Sequence, residues 1–218
     1  TVADDLGSTV TIMSWTITAP LLAFGVVGPA FGKAGDLWGH KRVFVYGLVG
    51  AGVFSLASAF AWNDMSLIGF RTLSAASGSA TGPAAMAYIN RMFSADERVR
   101  PLGYWSFVTA GAPVIGVVAG APLVEMFGWR VIFMIQAPLS LLGALVSWRL
   151  LPETDRRDNV RFDVKGSLTL GAGAVLILLT INRGNSWGWT SAQTLGAGIA
   201  GICALLLFYR VETVATDP

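Results

Sequence analysis

The sequence holds one cysteine, Cys203, and one histidine, His40. A single cysteine excludes an internal disulfide and any multi-cysteine metal site. A single histidine leaves no His-based catalytic pair within the chain. Charge is scarce as well. Asp, Glu, Lys and Arg make up 13% of the 218 residues, where a soluble domain carries about 25%. Apolar residues reach 54% and the mean hydropathy is +0.61. These values exclude a disordered chain and argue against a soluble enzyme. The net charge of +2 gives no strong pull toward nucleic acid. No nucleophile, acid pair or metal cluster stands at one membrane depth, which argues against a membrane enzyme. No cofactor is expected. There is no initiator Met and no signal-peptide pattern. The polar ends, Thr1–Asp5 and Ala215–Pro218, read as cut ends.

What the chain has in abundance is long apolar runs. A membrane-spanning helix needs about 20 mainly apolar residues. Seven such runs stand at roughly 15–32, 43–61, 66–89, 102–124, 131–151, 164–182 and 191–211. They are twice the length of a barrel strand and do not alternate, so they predict helices. The fold class is therefore an all-α integral membrane protein with about seven transmembrane helices. The linkers are short; the longest reads PETDRRDNVRFD over 152–163.

The basic residues predict an orientation. With seven spans, one side collects Lys33, Lys41, Arg42, Arg91, Arg98, Arg100, Arg149, Arg156, Arg157, Arg161, Lys165 and Arg210. The other side collects only Arg130 and Arg183. The first side should be cytoplasmic, with the amino terminus outside and the carboxyl terminus inside. Seven of the eight tryptophans fall at span ends or in the linkers that join them, and Trp38 in the first cytoplasmic loop, as interfacial anchors do. Small residues recur at packing spacing: Ala112, Gly116 and Gly120 in one span, Gly171 with Gly173, and Gly196 with Gly198.

Within the spans, away from their ends, the one charged residue is Arg71. A guanidinium inside a membrane helix costs at least about 2.5 kcal/mol, so it must face protein or water, or snorkel to headgroups. Arg71, Ser74, Gly78 and Thr81 follow 3–4 spacing and share one small, polar helical face. No Asp or Glu lies in mid-membrane, although proton coupling usually needs an acid whose pKa the membrane interior raises. Arg71 itself does not titrate in a useful range. The first cytoplasmic loop, Gly32-Lys33-Ala34-Gly35-Asp36-Leu37-Trp38-Gly39-His40-Lys41-Arg42, places an acid among bases between glycines. Glycines supply the positive φ of a tight turn, and the acid offers a switchable ion pair.

That loop resembles the signature G-x-L-a-D-r-x-G-r-k-x of the major facilitator superfamily, with Gly32, Asp36, Gly39, Lys41 and Arg42 matching. Ala34, Leu37 and His40 depart from it. The stretch at Arg71 resembles the family's fourth-helix pattern R-x-x-Q-G-x-G, with Ser74, Ala75 and Ser77 replacing the Gln and both glycines. Ala112, Pro113, Gly116 and Gly120 lie where the fifth helix carries the antiporter signature, although Val117 stands at the signature proline. Trp129-Arg130-Val131-Ile132-Phe133-Met134-Ile135-Gln136-Ala137-Pro138 looks like the W-R-x-x-F-x-I-N-x-P run of the 14-span drug:proton antiporter branch. Leu151-Pro152-Glu153-Thr154, Phe162–Gly166 and Trp187-Gly188-Trp189 are similar to that branch too.

The resemblance implies a partial major facilitator bundle running from the end of helix one through helix eight. It implies residues 1–151 as part of the amino-terminal six-helix bundle, 152–163 as a cytoplasmic linker, 164–211 as two extra helices and 212–218 as the start of a loop. It further implies a multi-pass protein of the plasma membrane, in a bacterium the inner membrane. The activity implied is proton-coupled efflux of amphipathic, drug-like molecules by alternating access, driven by the proton gradient. Asp36 and its loop would gate, Arg71 with Ser74 would line the cavity and tune coupling, and Trp129, Arg130, Gln136 and Pro138 would form a periplasmic turn. The partners are then the small substrate, protons, the bilayer and the carboxyl-terminal bundle of the same protein. A transport cavity forms between two bundles, so this stretch alone should not transport. A transporter of a metabolite or lipid, or a sensor or scaffold, are the competing readings.

Overall fold

The computed structural model describes residues 2–154 and 164–214. Ten helices run through them: α1 (Val2–Asp5), α2 (Val10–Met13), α3 (Trp15–Trp38), α4 (His40–Ala59), α5 (Asp64–Gly78), α6 (Thr81–Met92), α7 (Val99–Phe127), α8 (Arg130–Leu150), α9 (Val164–Trp187) and α10 (Ala192–Val214). No strand occurs among the described residues. The all-α membrane fold predicted from the apolar runs is therefore the one observed. Five stretches are long and apolar enough to cross a membrane: Val10–Trp38, His40–Ala59, Val99–Phe127, Arg130–Leu150 and Ala192–Val211. The sixth predicted run lies within α9. Most of the linker predicted over 152–163, and the last residues of the loop predicted over 212–218, lie outside the described residues.

Helix ends differ from the apolar runs for local reasons. The run predicted to stop at 32 continues as helix to Trp38. Gly32 and Gly35 therefore sit in regular helix, and only Gly39 adopts a positive φ, of 96°. Its N–H donates to the carbonyl of Gly35 at 2.9 Å, which closes the last turn. The signature loop is thus mostly two helix ends joined at one glycine. Hydropathy falls at Lys33, but the helical backbone hydrogen bonding continues to the Gly39 N–H.

The third predicted run, 66–89, is two helices rather than one. α5 begins at a capping box, in which Asn63 Oδ1 accepts from the Ser66 N–H at 2.7 Å and Ser66 Oγ accepts from the Asn63 N–H at 3.1 Å. It ends at Gly78. Pro83 lacks the N–H that would pair with the carbonyl four residues back, at Ser79. Ser79 and Ala80 form the break and are fully buried. α4 crosses there closely: a Cβ on Gly47 would stand 2.7 Å from that of Ala80. Thr81 consequently starts a new helix.

The core is the packing of α4 on α8, with α5 and α6 across α4, and α3 against α5. Its apolar centres are small, Ala59, Ala61, Leu67 and Phe133 at one end, and Ala34, Val43 and Ala80 at the other. Small side chains let membrane helices approach through van der Waals contact. α9 pairs with α10 and lies on α3. Gly171 meets Val26, Gly173 meets Leu205 and Gly198 meets Thr180, so these glycines do serve packing. Gly196 meets nothing within 4 Å.

α7 is the outlier. None of its described residues is buried. Its small-residue row is unused: nothing approaches Gly116 within 4 Å, and Gly120 meets only the tip of Ile132, at 3.8 Å.

Candidate functional site: a polar cavity and an ion-pair cluster

The first region is a cavity of about 260 Å³ between α3, α4, α5 and α8. Arg71, Ser74, Ser55, Ser58, Gln136, Phe133, Pro20 and Phe24 line it. Arg71 stacks over the Phe133 ring, its guanidinium carbon 5.3 Å from the centroid. The ring's negative face satisfies part of the charge. No described residue accepts a hydrogen bond from the Arg71 guanidinium. The hydroxyls are committed to backbone instead. Ser74 Oγ donates to the Ala51 carbonyl at 2.9 Å, Ser55 Oγ to the Phe133 carbonyl at 3.3 Å and Ser58 Oγ to the Phe54 carbonyl at 2.8 Å. Ser74 thus ties α5 to α4, while Arg71 and the Gln136 amide are the polar groups left to face the cavity.

Gln136 is therefore not a turn residue. It lies inside α8, as does Pro138. Only Trp129 and Arg130 sit at the turn, where Gly128 takes φ 80°. There Asp5 Oδ2 accepts from Trp129 Nε1 at 3.0 Å and from Arg130 Nη1 at 2.6 Å. Arg130 also stacks on Trp129 at 4.3 Å. These bonds, that from Trp129 first, hold the Asp5 carboxyl below its ordinary pKa.

The second region lies at the opposite end. Asp36 Oδ1 is 3.2 Å from His40 Nε2 and 3.5 Å from Arg91 Nη2. One carboxylate oxygen thereby links α3, α4 and α6. His40 is 3% exposed, and its backbone N–H donates to Thr154 Oγ1 at 2.9 Å. Arg42 Nε lies 3.9 Å from Glu153 Oε2. Tyr88 donates to the Pro152 carbonyl at 2.8 Å. A Cβ on Gly39 would come within 2.6 Å of Glu153 Oε1, and one on Gly35 would overlap the His40 ring. Lys41 and Arg42 line an open hollow with Trp148 and Glu153.

The structure thus brings Gly32, Asp36, Gly39, Lys41 and Arg42 to one end of the bundle and Arg71 with Ser74 to the cavity. Ala112, Pro113, Gly116 and Gly120 line neither region. Sequence reasoning did not assign Arg91, Tyr88, Glu153 and Thr154 to the ion-pair cluster. The available signal was the Pro-Glu-Thr after α8, an acid and a hydroxyl facing a basic loop. Among the described residues no group of three His, Cys, Asp or Glu could hold a metal.

Comparison with known proteins settles the family. The model of the Major Facilitator Superfamily matches residues 1–177. The chain belongs to the major facilitator superfamily. That is a family of transporters rather than enzymes. This major facilitator chain is 36% identical over 217 residues to the puromycin resistance protein of Streptomyces alboniger, covering 98% of the chain and 42% of that protein. It is 31% identical over 221 residues to a multidrug transporter protein of Bacillus subtilis, covering 100% and 40%. It is 28% identical over 219 residues to the tetracenomycin C resistance and export protein of Streptomyces glaucescens, again covering 100% and 40%. The chain spans about two fifths of the length of these relatives.

Proposed function

We propose that this chain is the amino-terminal part of a plasma-membrane exporter of amphipathic small molecules, coupled to protons and working by alternating access. The observation that carries the reading is the cavity beside Arg71. It sits within helices that pack as a bundle, it combines aromatic and aliphatic walls with a cation and an amide, and it suits molecules with both apolar and acceptor groups. The drug-resistance names of the relatives support the same reading.

In this account the Asp36 cluster closes the cytoplasmic end. An ion pair at partly exposed groups is worth at most about 1 kcal/mol, so it holds one state without locking it. Rocking of this bundle against the carboxyl-terminal one opens the cavity to that side, while the Asp36–Arg91 pair holds α3 to α6 at this end in one state. Arg71 keeps its charge throughout and fixes acceptor groups of the substrate. The proton passes through an acid carried elsewhere in the full-length protein.

Efflux measurement in cells carrying the full-length protein tests this. Arg71→Ala and Asp36→Asn should each abolish export at normal membrane expression. Wild-type efflux in both variants would overturn the assignment.

A further inference from the structure

By sequence position Arg183 is one of two basic residues on the outer side of the membrane. In the structure it lies inside α9, one turn before Trp187, and is only 6% exposed. Its guanidinium carbon stands 4.2 Å from the centroid of the Trp15 ring on α3. The stack occupies one face of the plane. Two of the nitrogens, Nε and Nη2, are fully buried and have no hydrogen-bond partner. Among the described residues no carboxylate lies within ion-pair distance of Arg183.

Those two N–H groups lie on the same edge of the guanidinium. Together they form the fork that matches two oxygens of a phosphate or carboxylate. A buried charge with its fork unfilled is strongly disfavoured, and a cation–π contact does not supply acceptor lone pairs. We propose that Arg183 and Trp15 form a phosphate-binding site at the seam of α9 and α3, filled by a phospholipid headgroup. The seam itself is built: Thr18 donates to Asn182 Oδ1 across it at 3.0 Å. Its depth fits a headgroup. Trp15, Trp187 and Trp189 gather at this end, and Trp189 Nε1 donates to Asn185 Oδ1 at 2.9 Å. Indoles favour the layer in which lipid phosphates lie. Protein atoms cover both nitrogens, so the proposal requires the seam to open to admit the headgroup. The bound lipid then fastens α9 and α10 to the bundle.

The test is native mass spectrometry of the full-length protein purified in mild detergent, followed by delipidation and thermal-shift titration with phospholipid or inorganic phosphate. Wild type should retain phospholipid, and Arg183→Gln should bind it about tenfold more weakly, as loss of a charge-assisted pair predicts. Arg183→Lys keeps the charge but loses the fork, and should also bind more weakly while folding normally. Stabilisation of wild type by phospholipid but not inorganic phosphate identifies the headgroup as the source. Stabilisation by inorganic phosphate but not by phospholipid would overturn the headgroup as occupant and assign the site to free anion. Equal retention and equal shifts in wild type and Arg183→Lys would overturn the proposal, and that comparison stands even if the Gln variant fails to fold.

Discussion

Arg91 Nη2 and His40 Nε2 converge on a single oxygen of Asp36, at 3.5 and 3.2 Å. Three helices therefore meet at one carboxylate atom. The Arg91–Asp36 pair has little static strength, because each of these two side chains is about one-third exposed. Its consequence is for the balance between states. Arg91→Gln in the full-length transporter should lower stability by less than about 1 kcal/mol, yet slow efflux severalfold. A thermal-shift assay alongside drug efflux separates the two. Wild-type efflux would remove Arg91 from the gate.

Gly32 and Gly39 match the signature equally well but stand in different backbones. Gly39→Ala forces a Cβ into φ 96° and against Glu153. The cost should be about 1–3 kcal/mol, visible as a lowered melting temperature. Gly32 is helical, and a Cβ there meets Pro83 at 3.4 Å, a near-ordinary contact. Gly32→Ala should be neutral or slightly stabilising.

The Asp5 cluster carries a pH dependence of definite sign. Its folded pKa lies below the unfolded value, because Trp129 and Arg130 donate to the carboxylate. The stability it adds is fully present above the unfolded pKa of about 3.9 and is lost as pH falls through the lower folded pKa. Asp5→Asn should therefore lower the melting temperature by a constant amount between pH 6 and 8, and its difference from wild type should shrink as pH falls below about 4. A difference that persists undiminished at low pH would contradict this origin.

The helices and the family were legible because apolar runs and signature residues are local features. What was not legible depended on neighbours. Arg183 reads as an external charge by position, and only the seam with Trp15 shows that it is buried. Gln136 follows a turn sequence by two helical turns, so its place in the cavity depends on how α8 crosses α4. The break at Ser79–Ala80 was written in Gly78, Gly82 and Pro83, but hydropathy averages across it. The row at Ala112, Gly116 and Gly120 promised a close helix contact that no described residue supplies. Spacing specifies a packing face and not its partner.

The central claim is that the cavity beside Arg71 lies on the transport path. The most direct measurement is thiol labelling of Gln136→Cys in full-length protein, with Cys203 and every cysteine outside this stretch replaced by Ser. A membrane-impermeant reagent should label position 136, and a transported drug should protect it. Arg71→Ala should weaken that protection by about tenfold, or roughly 1.4 kcal/mol of binding. Failure to label position 136, while an exposed control at Asn63→Cys labels fully, would contradict the account.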